Sequence, residues 1–520
     1  MRLRAEVPLV AVVVAMAVTV GVQEAGAARI LMLHPTSTRS HKNFFMAIAE
    51  NLAQRNHSLT FVTNFNSTHQ RPNIREIFVA EETFTTGVPN LFNTSTLQVT
   101  RQLFPSFVTS CSLTLAADQV QSILREEFDL VMMYMSFTEC FLPVIHERKV
   151  PFIYVVPNVV QVGYSDLAGT PFFPSLAATY FYGLDHPLTF AGRMISTLSG
   201  VLEIVFIKYL VSRQEAECRA RKLCSEDMPS LAELRLNSSL FITNSVRTME
   251  NPTLPYTPTV VHAGGIHCRP AEPLPEDLQQ WVAGAGKPGV IFFSLGTFVK
   301  SSTLPEGYKK VLLEVFGSLQ QRVLWKWDED AMEGLPPNVR LSKWLPQQDI
   351  LGHQQLQLFI THGGLLSTQE ASYHGVPVLG LPVAVDQHQN MKRAQREGWG
   401  RFLHWEDLNY DSLRGNILQM IGDTRFRDEA QRRAKVMRDQ PLSPGDWTTY
   451  WVEYVLRHQG ARHLRSTALD MPWYQLYNAD VWAVVVVVTL VAGVLVSWLC
   501  YRILRALIGC CCRARKAKKD

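Results

Sequence analysis

Four short stretches carry groups able to hold a phosphorylated ligand: Ser294-Leu295-Gly296-Thr297, Trp344-Leu345-Pro346-Gln347-Gln348, Thr361-His362-Gly363-Gly364 and Asp386-Gln387. They supply hydroxyls, an aromatic plate, a histidine, bare backbone and a carboxylate beside an amide. Residues 358–361 read as a buried strand that stops at His362; two glycines follow, and Ser367 opens a stretch of helical character. The glycines suit a tight turn, or an anion held at a helix N-terminus, where free N–H groups and the dipole favour negative charge. Ligands of doubly wound domains bind beyond the carboxyl ends of the strands, where all four stretches fall. The set suits a nucleotide diphosphate carrying a sugar. A purely structural alternative stands beside it, since Ser367-Thr368-Gln369-Glu370 also reads as a capping box.

The elements that must position these groups repeat one pattern. Residues 29–33 read as a strand, 35–40 as a loop, and 41–55 as a helix with Phe44, Ile48 and Leu52 on one face. A second strand at 59–63 makes this the start of an α/β domain with parallel strands. Further strands are expected at 128–133 and 151–156. Three prolines in 251–258 (NPTLPYTP) suit a linker. Beyond it, strands at 289–294, 323–327, 339–342, 358–361 and 376–380 alternate with helical segments. The fold class is α/β, with facing domains at 28–250 and 271–440, a linker at 251–270 and a cleft between them. Residues 160–212 are unusually apolar and aromatic, including Phe172, Phe173, Tyr180, Phe181 and Tyr182. They suit the wall of a greasy pocket, a membrane-leaning surface or plain core.

At 520 residues the chain has room for two domains, each with its own core. Fifty basic against 46 acidic residues, a formal net charge of +4, give no case for a nucleic-acid partner. Nine cysteines, five scattered and four crowded at 500–512, make neither a disulfide framework nor a paired metal spacing. Cys218 and Cys224 could bridge in an oxidising compartment, with at least one thiol left over. Residues 1–27 read as a secretory signal peptide: Arg2 and Arg4, an apolar run at 7–22, then Ala25-Gly26-Ala27. Residues 481–501 contain no charge and suit one bilayer crossing. Asp480 precedes that helix and a basic tail, 502–520, follows it, which puts the tail in the cytosol and the rest in the lumen. The terminal Lys516-Ala517-Lys518-Lys519-Asp520 is similar to a dilysine retrieval signal of the endoplasmic reticulum, or is a basic tail at anionic lipid. Sequons at Asn56, Asn66, Asn93 and Asn237 agree with a luminal chain.

Residues 344–390, WLPQQDILGHQQLQLFITHGGLLSTQEASYHGVPVLGLPVAVDQHQN, resemble the signature of UDP-glycosyltransferases, the family that includes the UDP-glucuronosyltransferases. The wording is most similar to arthropod members. The resemblance takes in SLGT at 294–297, WVEYV at 451–455 with Arg457-His458, the signal peptide and the membrane tail, nearly the whole chain. It implies two facing Rossmann-like domains, the GT-B arrangement, and a role for each matched residue. Trp344 would stack on uracil, Gln347 reach the base or ribose, and Glu370 bind the ribose hydroxyls. His362 would face the β-phosphate, with Gly363 and Gly364 letting the backbone approach, and Ser367 would bond the α-phosphate. Asp386 and Gln387 would hold the transferred sugar, and the Ser294-Gly296-Thr297 turn would complete the donor site. His41 stands where the family keeps its general base. At a helix start its ring is expected to be neutral, taking the acceptor's proton as the hydroxyl attacks opposite the departing UDP. His34 reads as a strand-end residue. Vertebrate relatives orient the base with an aspartate where this chain has Tyr134; either Glu139 or Tyr134 would serve here.

The implied activity is inverting transfer of a hexose or hexuronic acid from a UDP-sugar to a hydroxyl of a small lipophilic acceptor. No metal or other cofactor is expected, because His362 and a helix N-terminus can bear the leaving diphosphate's charge. Residues 441–480 are expected to cross back onto the first domain. No arginine or lysine is clearly placed for a sugar carboxylate, so glucose and glucuronate both stand, with the arthropod resemblance favouring glucose. Expected partners are the UDP-sugar, the acceptor and a membrane, and homo-oligomerisation is left open. Two readings from other classes remain: a non-catalytic UDP-sugar-binding membrane protein, motivated by Tyr134, and a membrane receptor for lipophilic ligands.

Overall fold

The computed structural model describes residues 26–35, 38–66, 70–79, 92, 96–160, 162–176, 187–250, 254–297 and 299–516. The signal-peptide expectation therefore lies almost wholly outside the described residues, as do Asn93, Tyr180, Phe181, Tyr182 and the last four residues of the tail. The chain divides into two compact units, Met1–Arg465 and Ser466–Asp520.

The first unit holds two sheets in which every strand pairing is parallel. One contains β1 (Arg29–His34), β2 (Ser58–Thr63), β3 (Ile74–Phe78), β4 (Leu130–Tyr134), β5 (Phe152–Val156), β6 (Leu240–Thr243) and β7 (Val260–His262), in the order β3-β2-β1-β4-β5-β6-β7. The other contains β8 (Val290–Ser294), β9 (Arg322–Lys326), β10 (Val339–Ser342), β11 (Leu356–Thr361), β12 (Val378–Gly380) and β13 (Gly400–Phe402), in the order β10-β9-β8-β11-β12-β13. Each order reverses once, between β1 and β4 and between β8 and β11, and such a reversal opens a crevice at the strands' carboxyl ends.

Helices cover both faces, so the strands are apolar along their length. Leu31 and Leu33 enter one buried cluster, while their neighbours Ile30 and Met32 enter the cluster on the opposite face. Ile291 with Phe293, and Val290 with Phe292, divide in the same way in the second sheet. The stretch expected as a linker is different from that expectation: Val260–His262 pairs with β6 and closes the first sheet. Its short β-branched run sits behind the prolines, and only pairing partners distant in sequence make it a strand. The helix expected from 41 begins at Arg39, because the Thr38 hydroxyl caps it, accepting from the His41 N–H at 3.4 Å.

Helix Pro444–Arg457 lies on helix Arg39–Gln54, sending Val452 and Val455 into the first sheet's core. Buried Glu453 anchors it there, accepting from Arg55 and lying 3.4 Å from His57 Nε2. Two disulfides are present: Cys111–Cys140, which corrects the reading that the cysteines form no disulfide framework, and Cys218–Cys224, the bridge that the sequence allowed. The first joins residues 29 apart across a helix packing that the spacing does not disclose.

In the second unit, helix Ala479–Lys516 contains a stretch, Ala479–Gly509, long and apolar enough to cross a membrane, with none of its most apolar window buried. Helix Phe190–Ala220 of the first unit meets the same length and composition test.

Candidate active site

The reversal of the second sheet sets Ser294 and Thr361 side by side as register partners, so the loops that leave β8 and β11 begin together. The Ser294 hydroxyl accepts from the Gly296 N–H at 3.2 Å, and the Thr361 hydroxyl accepts from the Gly363 N–H at 3.2 Å. His362 is wedged between these turns. A Cβ at Gly296 would sit 2.5 Å from its ring and one at Gly364 2.6 Å, so both positions must be glycine. Gly296 is also left-handed, at φ +76. Gly363, at φ +86, is closed from the other side by Met391, whose Cγ would lie 2.5 Å from an added Cβ. Burial lowers the His362 pKa to about 4, and the nearby charge of Lys326 pushes the same way. The ring is neutral, and its buried Nδ1 has no partner among the described residues.

Helix Leu365–His374 starts directly after these glycines, with Gly364 as its N-cap and, among the described residues, no side chain capping its first N–H groups. The capping-box alternative is thereby corrected: Ser367 lies inside the first turn. Its hydroxyl instead accepts from Gln347 Nε2 at 3.2 Å, and the same amide donates to Glu370 Oε2 at 2.5 Å. Burial raises the Glu370 pKa to about 7, against the Gln347 hydrogen bond and the Arg269 charge. Trp344 stands at the rim, 72% exposed, which excludes a core plug and leaves a bare indole face. Thr297 is also exposed. Asp386 accepts from the Asn390 amide at 2.7 Å. The carbonyl of Gln387 is engaged by the Val383 and Ala384 N–H groups at 2.8 and 3.0 Å, which ties this end of the side chain to its own loop.

Two groups at this site escaped the sequence reading. Lys326 ends β9 and donates to the Gly296 carbonyl at 2.5 Å, bringing a half-buried amino group beside His362. Its place at a strand's carboxyl end is the signal that would have found it. His267 follows β7; its Nε2 lies 3.3 Å from the Leu366 carbonyl and 3.9 Å from Glu370 Oε1. No local pattern announces it, since only the chain's return between the sheets brings it there.

The reversal of the first sheet carries the other half. His41, in the first turn of its helix, has Nδ1 3.4 Å from the Tyr134 hydroxyl at the end of β4. Burial lowers the His41 pKa to about 4. His34 ends β1 packed against Phe45, Phe61 and Tyr134, with neither ring nitrogen hydrogen-bonded among the described residues. Glu139 is buried in the turn after β4, where burial raises its pKa while the Arg235 charge opposes this. Among the described residues no hydrogen bond joins it to His41, whereas the Tyr134 hydroxyl is brought within reach of the imidazole. Across the cleft, the charge of Arg39, two residues before His41, is close enough to depress the Lys326 pKa further. Gln369 Nε2 donates to the Asn244 carbonyl at 2.8 Å, tying the donor-side helix to the end of β6.

Comparison with known proteins agrees with this arrangement. A family model described as "UDP-glucoronosyl and UDP-glucosyl transferase" matches residues 28–514. The UDP-glycosyltransferase UGT5 of Dactylopius coccus is 32% identical over 489 residues, 90% of each chain. The 2-hydroxyacylsphingosine 1-beta-galactosyltransferase of Rattus norvegicus is 30% identical over 505 residues, 94% of this chain and 91% of that one. Among solved structures, a UDP-glucosyltransferase from Polygonum tinctorium shares the GT-B fold at a TM-score of 0.57 and 17% identity, covering 83% of this chain and 99% of that chain. With two parallel sheets meeting at their carboxyl ends and this match along the chain, the protein belongs to the UDP-glycosyltransferase family and is an enzyme of sugar transfer from a UDP-sugar.

Proposed function

We propose that the enzyme performs inverting, metal-independent transfer of a hexose or hexuronic acid to a hydroxyl of a small lipophilic acceptor. The observation that carries this reading is the neutral His41 imidazole, at the reversal of one sheet, with Arg39 of the same helix start electrostatically coupled to Lys326 in the donor loops. His41 accepts the acceptor's proton as the hydroxyl attacks the anomeric carbon from the face opposite UDP. Tyr134 orients the ring. Trp344 stacks on uracil, Glu370 and Gln347 receive the ribose, and Asp386 and Gln387 the sugar. The free N–H groups before Ser367, with His362 and Lys326, stabilise the charge growing on the diphosphate. Lys326 also supplies the cation that a glucuronate carboxylate needs, and relatives carry glucosyl, galactosyl and glucuronosyl names, so the donor is assigned only as a UDP-hexose or UDP-hexuronate. The apolar tail helix, signal-like start and basic tail support a type I protein of the endoplasmic reticulum membrane with its catalytic part in the lumen.

The test has two arms. Calorimetry should detect UDP binding, and Trp344→Ala should weaken it by the roughly 1–3 kcal/mol of one base–aromatic stack. UDP release with a mixed phenol and steroid panel, over UDP-glucose, UDP-galactose, UDP-glucuronate and UDP-N-acetylglucosamine, should fall about a hundredfold or more in His41→Ala. Equal release by both proteins would remove His41 from the role of general base, and no release by either would leave only binding.

A further inference from the structure

The first sheet has a cavity at the end that its chemistry does not use. About 820 Å³ in volume, it lies where β5 and β6 begin, at the opposite end of the sheet from Tyr134 and the reversal. Three segments enclose it: 142–152, 234–239 and the return segment 459–465. Ile145, Phe152 and Leu234 of the sheet's core give it an apolar floor, and His146, Gln459 and Arg462 give it hydrogen-bonding groups. Such a volume and such a mixture suit a small amphiphilic molecule.

Asn237 stands in the wall of this cavity and is exposed. It opens the sequon Asn237-Ser238-Ser239, to which sugar transfer gives no role. Ser239 is 7% exposed, and its N–H donates to the Phe152 carbonyl at 2.9 Å. The sequon is therefore open to a transferase before β6 joins β5, while the asparagine stays outside afterwards.

The return segment supplies a second, independent observation. Gln459, Gly460 and Ala461 follow one another in the left-handed region, at φ 48, 98 and 48. Two of the three carry side chains, so the turn is strained. It is also pressed on the domain, since a Cβ at Gly460 would sit 3.4 Å from Pro151 Cβ and 3.6 Å from the Ser239 hydroxyl. The helix before it, Pro444–Arg457, supports the helix that carries His41. A strained turn beside a cavity is stabilised by whatever fills that cavity.

We infer that Asn237 is N-glycosylated, and that the first sugars of its glycan lie in this cavity and hold the return segment on the domain. N-acetylglucosamine suits the lining, because its acetyl methyl and ring faces are apolar while its hydroxyls and amide are not. In the transfer, Asn237 Nδ2 forms a C–N bond to the anomeric carbon of a lipid-diphosphate-linked oligosaccharide. The C–O bond to the diphosphate breaks and takes the electron pair, Nδ2 releases one proton to solvent, and nothing is oxidised or reduced. The inference rests on the luminal placement proposed above and not on the donor or acceptor readings.

The full chain, expressed in eukaryotic cells and purified in detergent, provides the test. Peptide-N-glycosidase in heavy-oxygen water should convert Asn237 to labelled aspartate, read by mass spectrometry. Asn237→Gln and Ser239→Ala should each remove one glycan, with circular dichroism unchanged in both. Trypsin should then cut after exposed Arg462 about tenfold faster in either variant than in the parent, with cutting after exposed Lys222 unchanged. Glycans at Asn56 or Asn66 but none at Asn237 would overturn the proposal and leave the luminal placement standing. No glycan at any sequon would overturn both. A glycan at Asn237 whose loss leaves the cutting after Arg462 unchanged would overturn its seat in the cavity.

Discussion

The imidazole of His41 is free to accept a proton because desolvation keeps it neutral. Desolvation holds its pKa at about 4, far below the ordinary 6.5, so the ring is neutral at pH 7 and is lost as a base only when protonated below the lowered value. The acid limb of kcat/KM should therefore lie well under 6.5 in a pH profile. Tyr134→Phe removes one hydrogen bond worth about 1 kcal/mol, so kcat should fall about fivefold. Glu139→Gln should leave the acid limb where it is, since that carboxyl addresses Arg235 rather than the ring. Glu370 behaves oppositely, because burial raises its pKa to about 7 and holds it partly protonated near neutrality. Its ionised form, which can accept from the ribose hydroxyls, grows as pH rises through that value. Calorimetry should show UDP binding tightening over the same range, with the step absent in Glu370→Gln. The donor residues were legible in the sequence because each stands at or beyond a strand's carboxyl end, four of them (His362, Gly364, Ser367 and Glu370) on one strand–turn–helix. Lys326 and His267 were not, since each reaches the site from a separate element.

At the scale of elements, the site depends on how two turns share one space. Gly296 is left-handed and faces the His362 ring at a distance that no Cβ tolerates. Gly296→Ala should cost about 1–3 kcal/mol through backbone strain and overpacking, read as a lower Tm, and should weaken UDP binding by displacing His362. The strands that read as apolar runs between turn signals were placed from sequence within a residue or two. β3, β6, β7 and β13 went unread. Three of them are only three or four residues long, too short for periodicity, and β3 is only half-buried and carries Arg75 and Glu76. Each is a strand because a neighbour distant in sequence offers it a ladder.

For the whole molecule, covalent and packing ties join segments far apart in the chain. Cys111–Cys140 closes a loop of 29 residues and secures a long helix to the turn after β4. Losing it in Cys111→Ser should destabilise the protein by about 3 kcal/mol, seen as a lower Tm in thermal unfolding, while UDP affinity stays unchanged. Two buried disulfides also suit a chain matured in an oxidising compartment. The packing of Pro444–Arg457 on Arg39–Gln54 means that the chain's late part supports the helix carrying His41.

What the residues alone determined is whatever is local: the α/β alternation, the apolar tail helix, and a strand–turn–helix whose glycines and first free N–H groups are built for an anion. These follow from backbone geometry and burial over a few neighbouring positions. Only the tertiary structure decided that Tyr134 rather than Glu139 meets His41, that Lys326 and His267 join the donor loops, and that one face of Phe190–Ala220 stays bare. Each of those depends on which distant elements share a boundary, and hydrophobic period along a chain carries no record of that.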